Sequence, residues 1–210
     1  MTEQFRKAFE NQCVHLFIEG YRKLRANSYD IAWEEEKFSM EIARSMETCL
    51  ETLIWKIDIV SEPRLYSEAM TTGGVAPREA PRIDFRLSNW STVKKFIYHL
   101  EAKNLAENDW QKSTGPHVIA SALNGRYIDT GIDNYVNGRY QTGCLIGYVL
   151  NGKAPAVVNK INDLLTKRGR KFESILMASP VNGHNLCYQS LNQKNSGESF
   201  ILQHIFVEFQ

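Results

Sequence analysis

Two short stretches of strict alternation constrain this chain more than any other feature. In residues 82–87, Ile83, Phe85 and Leu87 alternate with Arg82, Asp84 and Arg86. In residues 96–103, Phe96, Tyr98, Leu100 and Ala102 alternate with Ile97, His99, Glu101 and Lys103. A period of two belongs to strands, whose successive side chains point to opposite faces. The apolar sets would pack into a core, leaving Asp84 on one strand and Glu101 with Lys103 on the next, all facing the other way. Asn89, between the stretches, suits a turn. If the two strands pair as neighbours, both carboxylates and the amine meet.

Two carboxylates held within a few ångströms repel unless a cation sits between them. Oxygen ligands suit a hard ion such as Mg²⁺, which keeps several waters and accepts substrate phosphate in its shell. Such an ion polarises a phosphoryl oxygen and acidifies a bound water, while Lys103 orients that water or stabilises the developing charge. The same residues on an open sheet face read equally as solvated acids with a weak Glu101–Lys103 surface pair.

Around this centre the periodicities predict further elements. Phe5, Phe9, Cys13, Leu16, Phe17, Tyr21 and Leu24 define an amphipathic helix over residues 4–25. Phe38, Ile42, Met46, Cys49, Leu50 and Leu53 define a second over residues 34–53, and Trp55, Ile57 and Ile59 a first strand. Residues 67–81, with Gly73-Gly74 and two prolines, read as a loop beside Asp84. Ser113 or Thr114 with Pro116 predicts a helix start, and Asn137-Gly138 its end. A buried strand over 145–150, a helix over 155–168 and strands near 174–178, 185–191 and 200–209 complete the order. Helices first, then a meander, then both mixed, predict an α/β (α+β) fold with a mixed central sheet flanked by helices.

The 210 residues suit one domain, and 43% hydrophobic with 23% charged residues is globular usage. No apolar run is long enough for a membrane span, and residues 1–12 lack a secretory core, so a cytoplasmic protein is expected. Charge is balanced, 25 basic against 24 acidic residues. Nucleic-acid binding would therefore need a local patch, for which Lys160, Lys167, Arg168, Arg170 and Lys171 are candidates. The alternative is a helix C-terminus dressed with cations. Cys13, Cys49, Cys144 and Cys187 form no CxxC pair, and the histidines no HExxH, so neither zinc nor a disulfide framework is expected. Phosphate loops, dinucleotide fingerprints and nucleophile elbows are missing from the sequence.

Asp84 in PRIDF and Glu101-Ala102-Lys103 resemble the PD-(D/E)XK nuclease superfamily, the restriction-endonuclease-like fold; Arg82-Ile83 stands where that family often has a proline directly before the aspartate. The resemblance spans residues 34–150, with 1–27 an added N-terminal helix and 151–210 a C-terminal helix and strands. Residues 125–149 are similar to the helix-then-strand half of defence and restriction nucleases in that superfamily. The resemblance implies a Mg²⁺- or Mn²⁺-dependent endonuclease acting on DNA, RNA being the other candidate, in prokaryotic antiviral defence. Its metal ligands would be Asp84, Glu101 and the carbonyl of Ala102. Lys103 would assist the attacking water, and Lys167, Arg168, Arg170 and Lys171 would bind the nucleic acid. It also implies an acid from the first core helix, for which Glu36 is chosen over Glu35 and Glu41; acids in a first helical turn also serve the macrodipole alone. A homodimer or a partner subunit is a further expectation. Two other readings are a catalytically silent binding or assembly module on the same fold, and an unrelated small-molecule enzyme.

Overall fold

A computed structural model describes residues 3–65, 80, 82–90, 95–140 and 143–209. Its centre is a seven-stranded mixed sheet. In chain order the elements begin with α1 (Glu3–Ala26), α2 (Glu35–Glu47), α3 (Leu50–Ile54), β1 (Asp58–Ser61), β2 (Phe85–Trp90) and β3 (Lys95–Ala106). A hairpin, β4 (Trp110–Gln111) and β5 (His117–Val118), precedes α4 (Ala120–Arg126), a π-helical turn (Tyr127–Ile132) and α5 (Asp133–Val136). Then come β6 (Gly143–Asn151), α6 (Ala154–Lys167), β7 (Leu176–Met177), β8 (Cys187–Gln193) and β9 (Ser199–Glu208). The sheet order is β1-β2-β3-β6-β9-β8-β7. β3, β6 and β9 run parallel at its centre, and the outer pairings are antiparallel.

Each face of the sheet is covered by its own layer. Phe85, Leu87, Tyr98, Leu100, Ile146 and Val207 pack under α1 and α2. Leu105, Leu145, Val149 and Phe206 pack under α6 and the π-helical turn. Central strands coated on both sides must be apolar on both sides, and residues 144–150 of β6 are buried throughout. Gly147 of β6 lies across the ladder from Lys103. A Cβ there would fall 2.6 Å from Leu105 Cδ1 and from Phe206 Cδ1, so only glycine lets those side chains close over the strand. Gly20 likewise lets α1 approach α2, since a Cβ would meet Met46 Cγ at 2.5 Å.

Several expectations are corrected. The second helix breaks at Thr48–Cys49, and its continuation, α3, exposes Leu50, Leu53 and Ile54. β1 starts at Asp58, with Lys56 at a φ of 53° in the turn before it, so Trp55 and Ile57 precede the strand. Asn89 is not in a turn: β2 continues through it to pair with Phe96. Residues 113–116 do not start a helix; they turn the β4–β5 hairpin, where Lys112 N–H donates to the Pro116 carbonyl (3.0 Å). Gly115, at a φ of 110°, takes a conformation a helix start would not need. The strand expected at 174–178 shortens to two residues, behind a 3₁₀ turn at Lys171–Glu173. The expected loop at 67–81 lies outside the described residues, Ala80 excepted.

The alternation through Asp84 is also interrupted. Phe85 and Leu87 join the α1/α2 layer, whereas Ile83 joins the opposite one. The chain bends at Asp84: Ile83 N–H donates to the Pro63 carbonyl (3.2 Å), and Glu62 N–H to the Asp84 carbonyl (2.9 Å). This bend, not a regular pleat, sets where the Asp84 carboxylate points.

Candidate active site

β2 and β3 pair with Phe85 opposite Leu100, the last step of their register, and Asp84 and Glu101 each flank that pair in the chain. Asp84 turns toward the body of the molecule. Its Oδ2 accepts the N–H of Ala102 (2.8 Å) and its Oδ1 the hydroxyl of Ser39 from α2 (3.1 Å). Ser39 Oγ lies 3.1 Å from Tyr148 Oη. Glu101 Oε2 accepts the Tyr140 hydroxyl (3.1 Å), which also reaches the Arg82 carbonyl (3.2 Å). Lys103 Nζ donates to Glu101 Oε1 (2.6 Å), to the Ala102 carbonyl (2.6 Å) and to Glu35 Oε1 (3.1 Å). Asp84, Glu101 and Lys103 are 9%, 5% and 5% exposed. A solvated surface pair is thereby ruled out for Glu101 and Lys103.

The helical acid that joins them is Glu35, not Glu36. Glu35 sits in the first turn of α2, and its Oε2 accepts the N–H of Asn104 (2.8 Å), tying that helix to β3. Glu41 is engaged elsewhere, by Lys37 and Arg44. No signal in the sequence distinguishes Glu35 from Glu36, because one residue of helical phase separates facing the sheet from facing away. Ser39 and Tyr140 orient the two carboxylates, and the sequence carries no signal of that role beyond the place of Ser39 one helical turn after Glu35. His99 is half-buried opposite Arg86 in the β2–β3 ladder.

Three carboxylates here face one ammonium, with the Arg126 guanidinium 3.9 Å from Glu35 as the next cation. Burial, then the charge of Glu101, pushes Asp84 well above the usual carboxylate range. Burial also raises Glu101, against the pull of Lys103. For Lys103, burial alone would favour the neutral amine; Glu101, Glu35 and Asp84 outweigh it, and the net shift is upward. Tyr140 is held protonated by burial and by Glu101. The surplus negative charge and hard-oxygen donors fit a divalent cation. Two features limit that fit. Among the described residues no three His, Cys, Asp or Glu side chains are grouped to hold a metal ion, and Lys103 Nζ occupies the Ala102 carbonyl.

The expected basic patch is thinner than its sequence. Arg168 is bound to Asp129, and Arg170 is clamped by Glu173 (2.8 and 2.6 Å) and Asp133 (2.7 Å). Arg170 is therefore a structural cation of the α5–α6 region. Lys160 donates to the Glu107 carbonyl, while Lys167 and Lys171 stay exposed. The four cysteines are free and buried. Among the described residues no helix is long and apolar enough to cross a membrane. Comparison of the chain with protein-family models, with curated proteins and with solved structures returns no match.

Proposed function

We propose that this protein is a metal-dependent nuclease with a restriction-endonuclease-like core, hydrolysing phosphodiester bonds of DNA. The observation that carries this reading is the burial of Asp84, Glu101 and Lys103 together, with Lys103 Nζ 2.6 Å from Glu101 and Asp84 docked on the backbone between them. Burying charges is costly, and a surplus of carboxylates more so; a fold that keeps them has a use for the charge. Asp84 and Glu101 would hold a Mg²⁺ or Mn²⁺ ion, with the Ala102 carbonyl joining once Lys103 leaves it. The ion would polarise the phosphate and acidify a bound water. Ser39 and the Ala102 N–H aim Asp84, Tyr140 aims Glu101, and Glu35 holds Lys103 beside the reacting phosphate, where its ammonium can offset developing charge.

The test is cleavage of plasmid, linear duplex and single-stranded DNA with Mg²⁺, Mn²⁺ or chelator. Metal-dependent cleavage by the native chain, lost in folded Glu101→Ala and Lys103→Ala proteins, supports the reading; undiminished cleavage by either variant refutes it. A second reading, a binding module without turnover, draws on the saturated hydrogen bonding: all four oxygens of Asp84 and Glu101 already have protein partners. It predicts DNA binding that is indifferent to metal and no cleavage under any condition.

A further inference from the structure

Lys103 has no hydrogen bond left to give. An ammonium carries three N–H donors and no acceptor. Lys103 Nζ directs them at Glu101 Oε1 (2.6 Å), the Ala102 carbonyl (2.6 Å) and Glu35 Oε1 (3.1 Å). In this arrangement it can neither orient a water nor hold a phosphate. Two of its three acceptors, Glu101 and the Ala102 carbonyl, are also oxygens through which the nuclease reading holds the metal. The ammonium therefore stands where those two oxygens would need a cation at about 2.1 Å. The third acceptor lies at the open end of the cluster. The Glu35 side chain is 14% exposed, against 7% for Lys103 and Glu101, and with Asn104 and Arg126 it lines a groove of about 470 Å³.

We propose that Lys103 is the resident counter-ion of this site and exchanges with the divalent cation: it yields Glu101 Oε1 and the Ala102 carbonyl, keeps Glu35, and so gains donors for water or phosphate. This rests on the nuclease reading and names the regulation of its site, since metal-free protein keeps the lysine locked and metal loading arms it. Three features carry the exchange. The donor count is one, because the lysine can act on nothing new until it releases an acceptor. The second is charge. Glu101, Glu35 and Asp84 all bear on this one ammonium, so the resting cluster is short of positive charge, and a divalent ion with Lys103 retained at Glu35 supplies it. The third is anchoring. Glu35 Oε2 is fixed by the Asn104 N–H (2.8 Å), so its carboxylate stays in place while the lysine moves. Asp84 is held by Ser39 and the Ala102 N–H, neither of which involves Lys103.

Mn²⁺ binding is measured by calorimetry on the full chain without nucleic acid, so the readout does not depend on cleavage. Lys103→Met removes the ammonium and keeps an unbranched side chain. It is expected to bind Mn²⁺ at least about tenfold tighter than the native protein, while cleaving DNA far more slowly. Glu35→Gln is expected to weaken binding roughly three- to tenfold in the native background and less than about twofold beside Lys103→Met, since the two residues act as a unit. An equal loss in both backgrounds would remove Glu35 from the exchange. Folded Lys103→Met protein that binds Mn²⁺ no tighter than the native chain would overturn the proposal, as would failure of both to bind it. If Lys103→Met does not fold, the native chain decides. Reductive methylation of Lys103, read by mass spectrometry, should then speed up when Mg²⁺ is added, and an unchanged rate overturns the exchange. Tighter binding by Lys103→Met, with no cleavage by the native chain under any metal, would leave the exchange standing and remove the nuclease. Metal-dependent cleavage by the native chain, with equal Mn²⁺ affinity in Lys103→Met, would do the opposite.

Discussion

Two buried polar clusters among the described residues are built on different terms. One joins Asp84, Glu101, Lys103 and Glu35 at the β2–β3 pair, carries surplus negative charge and borders an open groove. The other lies between β8, β9 and the π-helical turn. There His204 Nδ1 lies 2.9 Å from the Tyr127 hydroxyl and Nε2 lies 2.8 Å from Ser190 Oγ, which accepts from Asn192 Nδ2 (2.7 Å). Among the described residues that network has no charge partner, and Ser190, Asn192 and His204 are 2%, 0% and 0% exposed. A serine and a histidine in contact invite a catalytic reading, but no substrate reaches them. A neutral, sealed network, with Asn192 Oδ1 alone among its polar side-chain atoms lacking a partner among the described residues, specifies packing; a charged, unbalanced one at the surface end of a sheet is where perturbed groups of functional sites are found.

The largest expected effect separates the two directly. Lys103→Ala should lower metal-dependent cleavage roughly 10³-fold, the scale of a removed electrostatic or acid–base group. His204→Ala, by contrast, should leave cleavage per folded molecule unchanged and reduce stability by about 2–4 kcal/mol, read from denaturant midpoints. If His204→Ala abolishes turnover in folded protein, the second cluster is more than packing.

The next effect is in pH. Burial holds the His204 imidazole down at about 3, against an ordinary value of 6.5. Between those values the unfolded chain binds the extra proton and the folded chain does not. The stability contribution is therefore intact above 6.5 and declines as pH falls below it, with a slope of up to roughly 1.4 kcal/mol per unit. Urea titrations between pH 7 and 5 should show that slope, and His204→Asn should flatten it. A slope unchanged by the substitution would mean that other groups govern acid unfolding.

Smaller again is the response of the charged cluster to metal. Mg²⁺ should raise the thermal midpoint of the native protein, since a ligand that binds only the folded state stabilises it. Glu101→Gln should raise the midpoint without metal and abolish the Mg²⁺ response, because it removes one of the mutually repelling carboxylates. The finest contrast lies within one helical turn. Glu35→Gln should cost about tenfold in rate by loosening Lys103, whereas Glu36→Gln should change rate and stability within assay error. Equal effects of the two would undo the assignment of Glu35.

The sequence by itself determined the strands and their company. A period of two in residues 96–103 placed Glu101 and Lys103 on one face and Leu100 and Ala102 on the other, because a pleated backbone leaves side chains no other choice. Helices α1, α2 and α6 were legible from stripes at three and four, and the breaks near Gly138 and Gly169 from glycines at φ 71° and 75°. Tertiary structure decided the rest. The bend at Asp84 arises from backbone bonds to Pro63 and Glu62, distant partners that no local pattern announces. Glu35 prevailed over Glu36 because α2 docks on Asn104 of β3, a rotation set by packing. Residues 113–116 carry good helix-capping chemistry, yet they turn a hairpin, since turns and helix starts use the same residue types. The basic residues of the α6 end were countable in sequence, but which of them stay free of acids was decided only when Asp129, Asp133 and Glu173 folded against them.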